Sequence, residues 1–396
     1  MFDAFSSNFP LFFLCLFMAA GNAFCDAAAP ARWCPLNLVQ EAVGVTNFIW
    51  DGDSLCFSNQ QQNVRFYQGR RRFEVNGTTL WLNTTPDGSV NSGNWRLAGI
   101  DFDLLQLAIL PQAEGTPKPL RVMIDPGHGG ADTGAIGKNP SVREKDLTLV
   151  LAKKLGAKLK KAGMHVDYTR SGDTTLSLDE RTRLARKKKA DLFVSVHANH
   201  AGNTEAVGVE TYILPPSGYP GTAEGSTPRG WQIGNRNDYH NTLLGYSIHR
   251  HLAANANSFD RGLKRQAFFV LRETCCPAVL IEFGFLSNQT ETFRMLDPAW
   301  QDQSVSAVAE GVLAYAKRVP ALDTAVAAKR ARDEEANERW RQHLASQATK
   351  AAESKTLATL SNVLAAAASP RVLAGTNAAP IQIEALMPYY DTEKPN

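Results

Sequence analysis

Leu120-Arg121-Val122-Met123-Ile124-Asp125-Pro126-Gly127-His128-Gly129-Gly130 is the stretch from which the fold can be read. Residues 121–124 make a short apolar strand, and the glycine- and proline-bearing run after it is a loop that ends the strand abruptly. Residues 146–162 then repeat leucine at Leu147, Leu151, Leu155 and Leu159, with lysines on the other face and Gly163 as a stop, which is the pattern of an amphipathic helix. Val166 and Tyr168 alternate with polar neighbours in a second strand. Ser177 and Glu180 form a capping box for a helix reaching Lys189. Residues 192–196, 207–214 and 278–282 read as further strands, and residues 244–254 and 305–315 as further helices. This alternation predicts an α/β fold, a largely parallel twisted sheet flanked by helices.

Outward from this segment the pattern changes on both sides. Residues 36–110 read as a small β-rich module. Its strongest signal is Arg72-Phe73-Glu74-Val75, then Asn76-Gly77, then Thr78-Thr79-Leu80-Trp81-Leu82, because Asn-Gly tolerates the positive φ angles of a two-residue hairpin turn. The module has no cluster of histidines or acids, so no chemistry is expected in it. Residues 113–118, with Gly115 and Pro117, read as a linker. After Pro320 the chain becomes rich in Ala, Arg and Glu, as a solvated or self-associating helix is, and residues 365–396 carry four prolines and are expected to be disordered. The expected domains are therefore 24–115, 119–320 and a helical and disordered tail, 321–396.

The 396 residues are 44% hydrophobic and 20% charged, ordinary values for a globular chain with a core. A net charge of +3 gives no electrostatic case for nucleic acid. Phe9 to Ala20 is an apolar run too short to span a bilayer, which takes ~20 residues, and it reads as the core of a signal peptide cleaved after Ala23. Only Asp3 and the amine precede it, so the usual positive flank is missing. Export with no stable membrane insertion is the expectation. Among the remaining cysteines no C-x-x-C pair occurs; Cys34 and Cys56 could form a disulfide, and adjacent Cys275 and Cys276 read as buried small hydrophobes.

The chemistry-bearing candidates sit at strand ends. His128 follows the strand at 121–124 and His197 follows the one at 192–196, and in open α/β sheets ligands bind beyond the carboxyl ends of strands. Two histidines and an acid make a catalytic zinc set with one position open to water. Glu144, just before a helix, and Glu282, closing the apolar strand, are the acids in reach. Each has a plainer alternative. Glu144 can complement a helix dipole, Glu282 can be a buried ion-pair partner, and the other six histidines read as ordinary hydrogen-bonding residues. The glycine-rich loop is not a phosphate cradle, since Asp132 stands where either dinucleotide or P-loop motif needs glycine.

Four segments in order decide between these alternatives by resemblance: Ile124-Asp125-Pro126-Gly127-His128-Gly129-Gly130, Arg143-Glu144-Lys145-Asp146, Ser195-Val196-His197-Ala198-Asn199, and Glu282-Phe283-Gly284-Phe285-Leu286-Ser287-Asn288. Together they resemble the signature of the zinc-dependent peptidoglycan amidases of the amidase-3 family, over about residues 120–319. Thr169-Arg170, residues 178–186 and Arg261-Gly262-Leu263-Lys264 fit the same pattern. The resemblance implies that His128, Glu144 and His197 bind zinc, that Glu282 is the catalytic acid–base, and that the substrate is the amide joining N-acetylmuramic acid to L-alanine of the peptidoglycan stem. It leaves three other readings to be tested: a zinc peptidase cutting inside the stem, a wall-binding module without turnover, and a scaffold whose tail binds a protein partner. The N-terminal module resembles the stalk-like domains of some wall enzymes. Some relatives plug their zinc with a helical insert bearing an acid; here residues 215–238 are rich in Pro and Gly, so no helix is expected to hold Glu224 on a metal, and the site is expected to be open.

Overall fold

The computed structural model describes residues 33–138, 141–223, 225–227 and 229–367. The apolar run at 9–20, the cleavage position at Ala23, Glu224 and residues 368–396 lie outside these. No helix of the described residues is long and apolar enough to cross a membrane.

The chain opens with β1 (Trp33–Pro35) and α1 (Leu36–Val43), then the short strands β2 (Ile49–Trp50), β3 (Ser54–Ser58), β4 (Asn63–Tyr67), β5 (Arg72–Val75) and β6 (Thr78–Trp81), β7 (Arg96–Ala98) and α2 (Gly99–Ala108). The turn between β5 and β6 is the expected one: Asn76 and Gly77 take φ of 52° and 76°, and Val75 faces Thr78 across it. The α/β part follows as β8 (Arg121–Pro126), the ribbon β9 (Ile136–Lys138) and β10 (Ser141–Arg143), α3 (Glu144–Lys161), β11 (His165–Tyr168), α4 (Leu178–Lys187), β12 (Leu192–Asn199) and β13 (Val209–Ile213). A 3₁₀ turn (Ile233–Asn237) leads into α5 (Asp238–Asn255), β14 (Asp260–Arg265), α6 (Phe269–Glu273), β15 (Ala278–Phe285), α7 (Gln289–Leu296) and α8 (Pro298–Ala367).

One sheet runs β11-β8-β12-β15-β13-β14-β6-β5-β4-β3-β2. β11, β8, β12 and β15 are mutually parallel, β13 turns antiparallel to β15, and β14 and β6 run parallel to β13. The largely parallel sheet is as expected, but the β-rich module is not hung beside it. β6 joins β14 directly, so the module continues the same sheet. The seam is polar and specific: Asp260 accepts from the Thr79 amide at 2.8 Å, Trp81 Nε1 donates to Arg261 O at 2.9 Å, and Arg265 Nη1 donates to Trp81 O at 2.6 Å.

Strand alternation sorts the core into two layers. Val122, Ile124, Val194, Val279 and Ile281 join the cluster that holds Leu147, Leu151, Leu155 and Leu159 of α3, Leu243, Leu244 and Ile248 of α5 and Val305, Val308 and Val312 of α8. Met123, Phe193, Ala278 and Leu280 face the other way, onto α4 and α6. α3 also carries acids in its first turn and lysines in its last, matching its dipole. α4 has the capping box, with Ser177 Oγ accepting from the Glu180 amide at 3.2 Å.

Two sequence expectations need correction. Cys34 and Cys56 are not bridged to one another. Leu55 and Phe57 enter the core that contains Cys34, so period-two alternation turns Cys56 to the opposite face of β3. Cys275 is exposed, and of the adjacent pair only Cys276 is buried. The last helix runs through Pro320, with Leu322 and Ala325 buried beyond it. The first compact unit extends to Arg332, and residues from Asp333 form a second, helical up to Ala367.

Candidate metal centre

The loop after β8 must turn sharply to carry His128, which itself has φ of 61°. A network built on Asp125 and two arginines holds it. Asp125 is buried and accepts from Thr169 Oγ1 at 2.6 Å, Ser195 Oγ at 2.8 Å and Arg181 Nη1 at 2.8 Å. Arg181 also donates to the carbonyls of Pro126 and His128, and Arg170 to those of Pro126, Gly127 and Lys145. Lys145 Nζ donates to Gly130 O and Asp173, while Asp173 accepts from the Gly130 amide. The carbonyls of this loop are thereby satisfied by buried cations.

Against this loop stand Glu144, the first residue of α3, and His197 on β12. Their ligand atoms and that of His128 all lie within 4.8 Å of one another. Glu144 Oε2 is 3.1 Å from His128 Nε2, and its Oε1 is 2.9 Å from His197 Nδ1. The Glu144 carboxylate also accepts from the amides of Ala135 and Ala198 at 2.9 Å and 3.1 Å, which fixes it at the mouth of the cluster. His128 Nδ1 lies 2.8 Å from Asp132 Oδ2, so the carboxylate accepts from the Nδ1–H tautomer, in which Nε2 is the electron-pair donor. The two rings are nearly perpendicular, with centroids 5.0 Å apart.

Burial alone would raise the Glu144 carboxyl, but hydrogen bonds from His128 and His197 outweigh it and hold the group well below the usual carboxylate range. For His128 burial acts downward, and Glu144 and Asp132 overcome it to raise the imidazole. Two imidazoles and a carboxylate converging this closely form a donor set for a borderline-soft divalent ion with a further position open to water.

Glu282 stands next in line. β12 and β15 pair in parallel register with His197 opposite Glu282, and β13 places Glu210 opposite Glu282 on its other side. In-register neighbours share a face of the sheet, so His197, Glu282 and Glu210 form a row across three strands. Glu210 is fully engaged, by Arg261 and Lys264 on one oxygen and by Tyr212 and Asn199 on the other. Glu282 Oε2 has no partner, although the residue is only 8% exposed. Burial first, then the carboxylates of Glu144 and Glu210, push its proton affinity well above that of an ordinary acid. A buried carboxyl oxygen left open is costly, and it is the feature that distinguishes Glu282 from the other buried acids of this sheet.

Residues 122–314 match the family of N-acetylmuramoyl-L-alanine amidases known as amidase-3. The uncharacterized protein YqiI of Bacillus subtilis (strain 168) is 33% identical over 221 residues, covering 56% of this chain and 97% of YqiI. This chain belongs to the amidase-3 family. The N-acetylmuramoyl-L-alanine amidase AmiA of Escherichia coli (strain K12) is 31% identical over 251 residues, 55% of this chain and 86% of AmiA. The amidase LytC of Bacillus subtilis (strain 168) is 31% identical over 228 residues, 58% of this chain, and the match spans 42% of LytC's length.

All four site residues named from the sequence fall in one place. Asp125, Lys145, Arg170 and Arg181 lie in segments that carry the resemblance but have no role assigned from the sequence, because their partners are up to 56 positions away and only the fold brings them together. Asp132 did carry a signal, the short acidic side chain four residues beyond His128. The other described histidines take structural roles as expected where their partners can be seen; His249, for example, is buried between Thr211 Oγ1 and Asp260 Oδ1. Among the described residues between 215 and 237 no α-helix forms, only the 3₁₀ turn.

Proposed function

We propose that this amidase-family chain hydrolyses the amide between the lactyl group of N-acetylmuramic acid and L-alanine of the peptidoglycan stem, with zinc bound by His128, Glu144 and His197. The observation that carries the reading is the open Glu282 oxygen set beside a cluster of two histidines and a glutamate. Zinc, when bound there, would acidify a water and polarise the scissile carbonyl. Glu282 takes the proton from the attacking water and returns it to the departing alanine amine. Its proton affinity, raised by burial and by the neighbouring carboxylates, favours its taking the proton of the water. Asp132 fixes the His128 tautomer, and the Asp125 network holds the His128 loop so that the donors stay convergent.

The absence of an α-helix in the described part of 215–237 supports an open, loop-rimmed site rather than one plugged by a helical insert. Export to the periplasm or exterior, where the wall lies, agrees with the apolar N-terminal run. The helical tail beyond Asp333 is a surface for a protein partner, and neither nucleic acid nor a lipid span is part of this reading.

Digesting purified wall and identifying the fragments by mass tests the proposal. Release of stems with a free L-alanine amine and intact sugar strands is expected. Cleavage inside the stem would replace this reading with that of a peptidase, and no release by zinc-loaded protein would leave a binding module.

A further inference from the structure

A second cavity, of about 290 Å³, lies away from the histidine cluster. Its walls are Arg250 of α5 and Arg318 of α8, Gln61, Gln62 and Asn76 in turns of the N-terminal strands, and the last turn of α2 with Pro111. Asn76 leads into β6, three strands from β15, so at ~4.8 Å per strand this turn is displaced roughly 14 Å along the sheet from Glu282.

What sets the cavity apart is its charge. Arg318 is 4% exposed, and its Nε has no hydrogen-bond partner. Its Nη1 donates to Ser247 Oγ at 3.1 Å and its guanidinium lies over the Tyr246 ring, both neutral groups. No ion pair to Arg318 or Arg250 occurs among the described residues; buried Arg181 has Asp125, and buried Arg170, without an acid, is taken up by the carbonyls of Pro126, Gly127 and Lys145. Burial, and then the like charge of Arg250, lower the Arg318 guanidinium to about 10, so it remains a cation at neutral pH. The C-terminal end of α2 supplies only the partial negative charge of a helix dipole, about half a unit, against two full positive charges. A buried cation left without a counter-charge is unfavourable enough that a ligand supplying one should bind.

We propose that this cavity is an oxyanion-binding site, built to take a carboxylate or phosphate group between Arg250 and Arg318. The two guanidiniums supply the charge, Gln61, Gln62 and Asn76 supply a polar wall in which Asn76 Nδ2 donates to Gln62 Oε1, and the α2 end with Pro111 supplies an apolar wall. The volume suits a small group or the end of a longer chain rather than a large cofactor. Because the N-terminal strands provide one wall, the site exists only where the module and the α/β layer meet.

The test titrates inorganic phosphate in one arm and N-acetyl-D-alanyl-D-alanine in the other into the full zinc-loaded chain at fixed ionic strength, read by calorimetry and by melting temperature. Saturable binding of at least one is expected, and the arm that binds identifies whether phosphate or carboxylate is the source. Arg250→Gln, at a half-buried position, should weaken that binding roughly tenfold or more, the loss of one charge-assisted pair, while wall digestion without added anion is unchanged. Arg318→Met should melt no lower than the parent in anion-free buffer and should lose the anion-induced rise. If Arg318→Met fails to fold, Arg250→Gln decides alone. Binding of neither anion, or binding undiminished in Arg250→Gln, overturns the proposal.

Discussion

Gly127 offers the sharpest test of how the candidate centre is assembled. A Cβ at this position would lie 2.3 Å from His197 Cε1 and 2.6 Å from both ring nitrogens. Ordinary carbon contacts begin near 3.5 Å, so Gly127→Ala requires the imidazole or the loop to retreat by roughly 1 Å. The loop cannot readily move, because the Gly127 amide donates to Val196 O at 2.9 Å and its carbonyl accepts from Arg170 and Thr148. Gly127 is also not in the left-handed region, so the clash rather than backbone strain is the cause. The ring must therefore shift, and a misplacement of about 1 Å at a reacting centre costs on the order of 10²-fold in rate. The expected result is a folded protein whose zinc content falls and whose wall-digestion rate drops by about that factor. Gly172→Ala, where a Cβ meets nothing within 4 Å, is the matched control and should digest wall at the parent rate. A Gly127→Ala variant that keeps full zinc and full activity would show that His197 is not held where the argument needs it.

The other predictions follow from single features of the same structure. Glu282→Gln should keep near-normal zinc while turnover falls ~10²–10⁴-fold; metal analysis and digestion rates on one preparation check this, and zinc loss would mean the residue is a ligand instead. His128→Ala and His197→Ala should each lose metal together with activity, and retention of full zinc by both would misplace the centre. Asp238 has its carboxyl raised by burial to about 7, so the folded state holds its proton more tightly than the unfolded chain. Stability from that group is present below about pH 4 and lost as pH rises through 7, so Asp238→Asn should flatten the fall in melting temperature between those values. Residues 119–320 alone should bind zinc but melt below the full chain, because cutting removes the acceptor of Arg265 and the strand paired to β14; equal melting would make the seam energetically idle.

What could be read from the sequence, and what could not, divides by the range of the interaction. The leucines of α3, the Ser177–Glu180 cap and the Asn76-Gly77 turn are local, and each carries its own period or φ requirement within a few residues. His128 and His197 were visible as strand-end residues. Bringing Glu144 and Glu282 to them needed either a family resemblance or the fold, since parallel pairing of His197 with Glu282 leaves no spacing rule in the chain. The Cys34–Cys56 expectation failed for the converse reason. Proximity in sequence was used where strand parity, set by Leu55 and Phe57, decides the face. The continuity of the sheet was hidden by composition: residues 113–118 have the make-up of a linker, yet the Trp81–Arg261 bond across the seam joins positions 180 apart.

That seam has a physical logic of its own. β14 would otherwise be an edge strand with its backbone groups open on one side, a template for pairing with another chain. β6 covers it, and the burden of the free edge passes down the module to β2, a strand of only two residues. A short terminal strand offers too few ladder bonds to recruit a neighbour. The hydrogen bonds at the join also reach toward the candidate centre. Arg261, whose carbonyl accepts from Trp81, donates through Nε to Glu210, and Glu210 sits opposite Glu282 in the row across the sheet. Lys264, on the same strand, donates to the same Glu210 oxygen. β14 is thus held on one side by the module and on the other supplies the two cations that neutralise the carboxylate next to Glu282. A module without histidines or an acid cluster can therefore influence the chemistry without entering the site, by fixing the strand from which Glu210 is satisfied and so keeping Glu282 as the acid with an open oxygen.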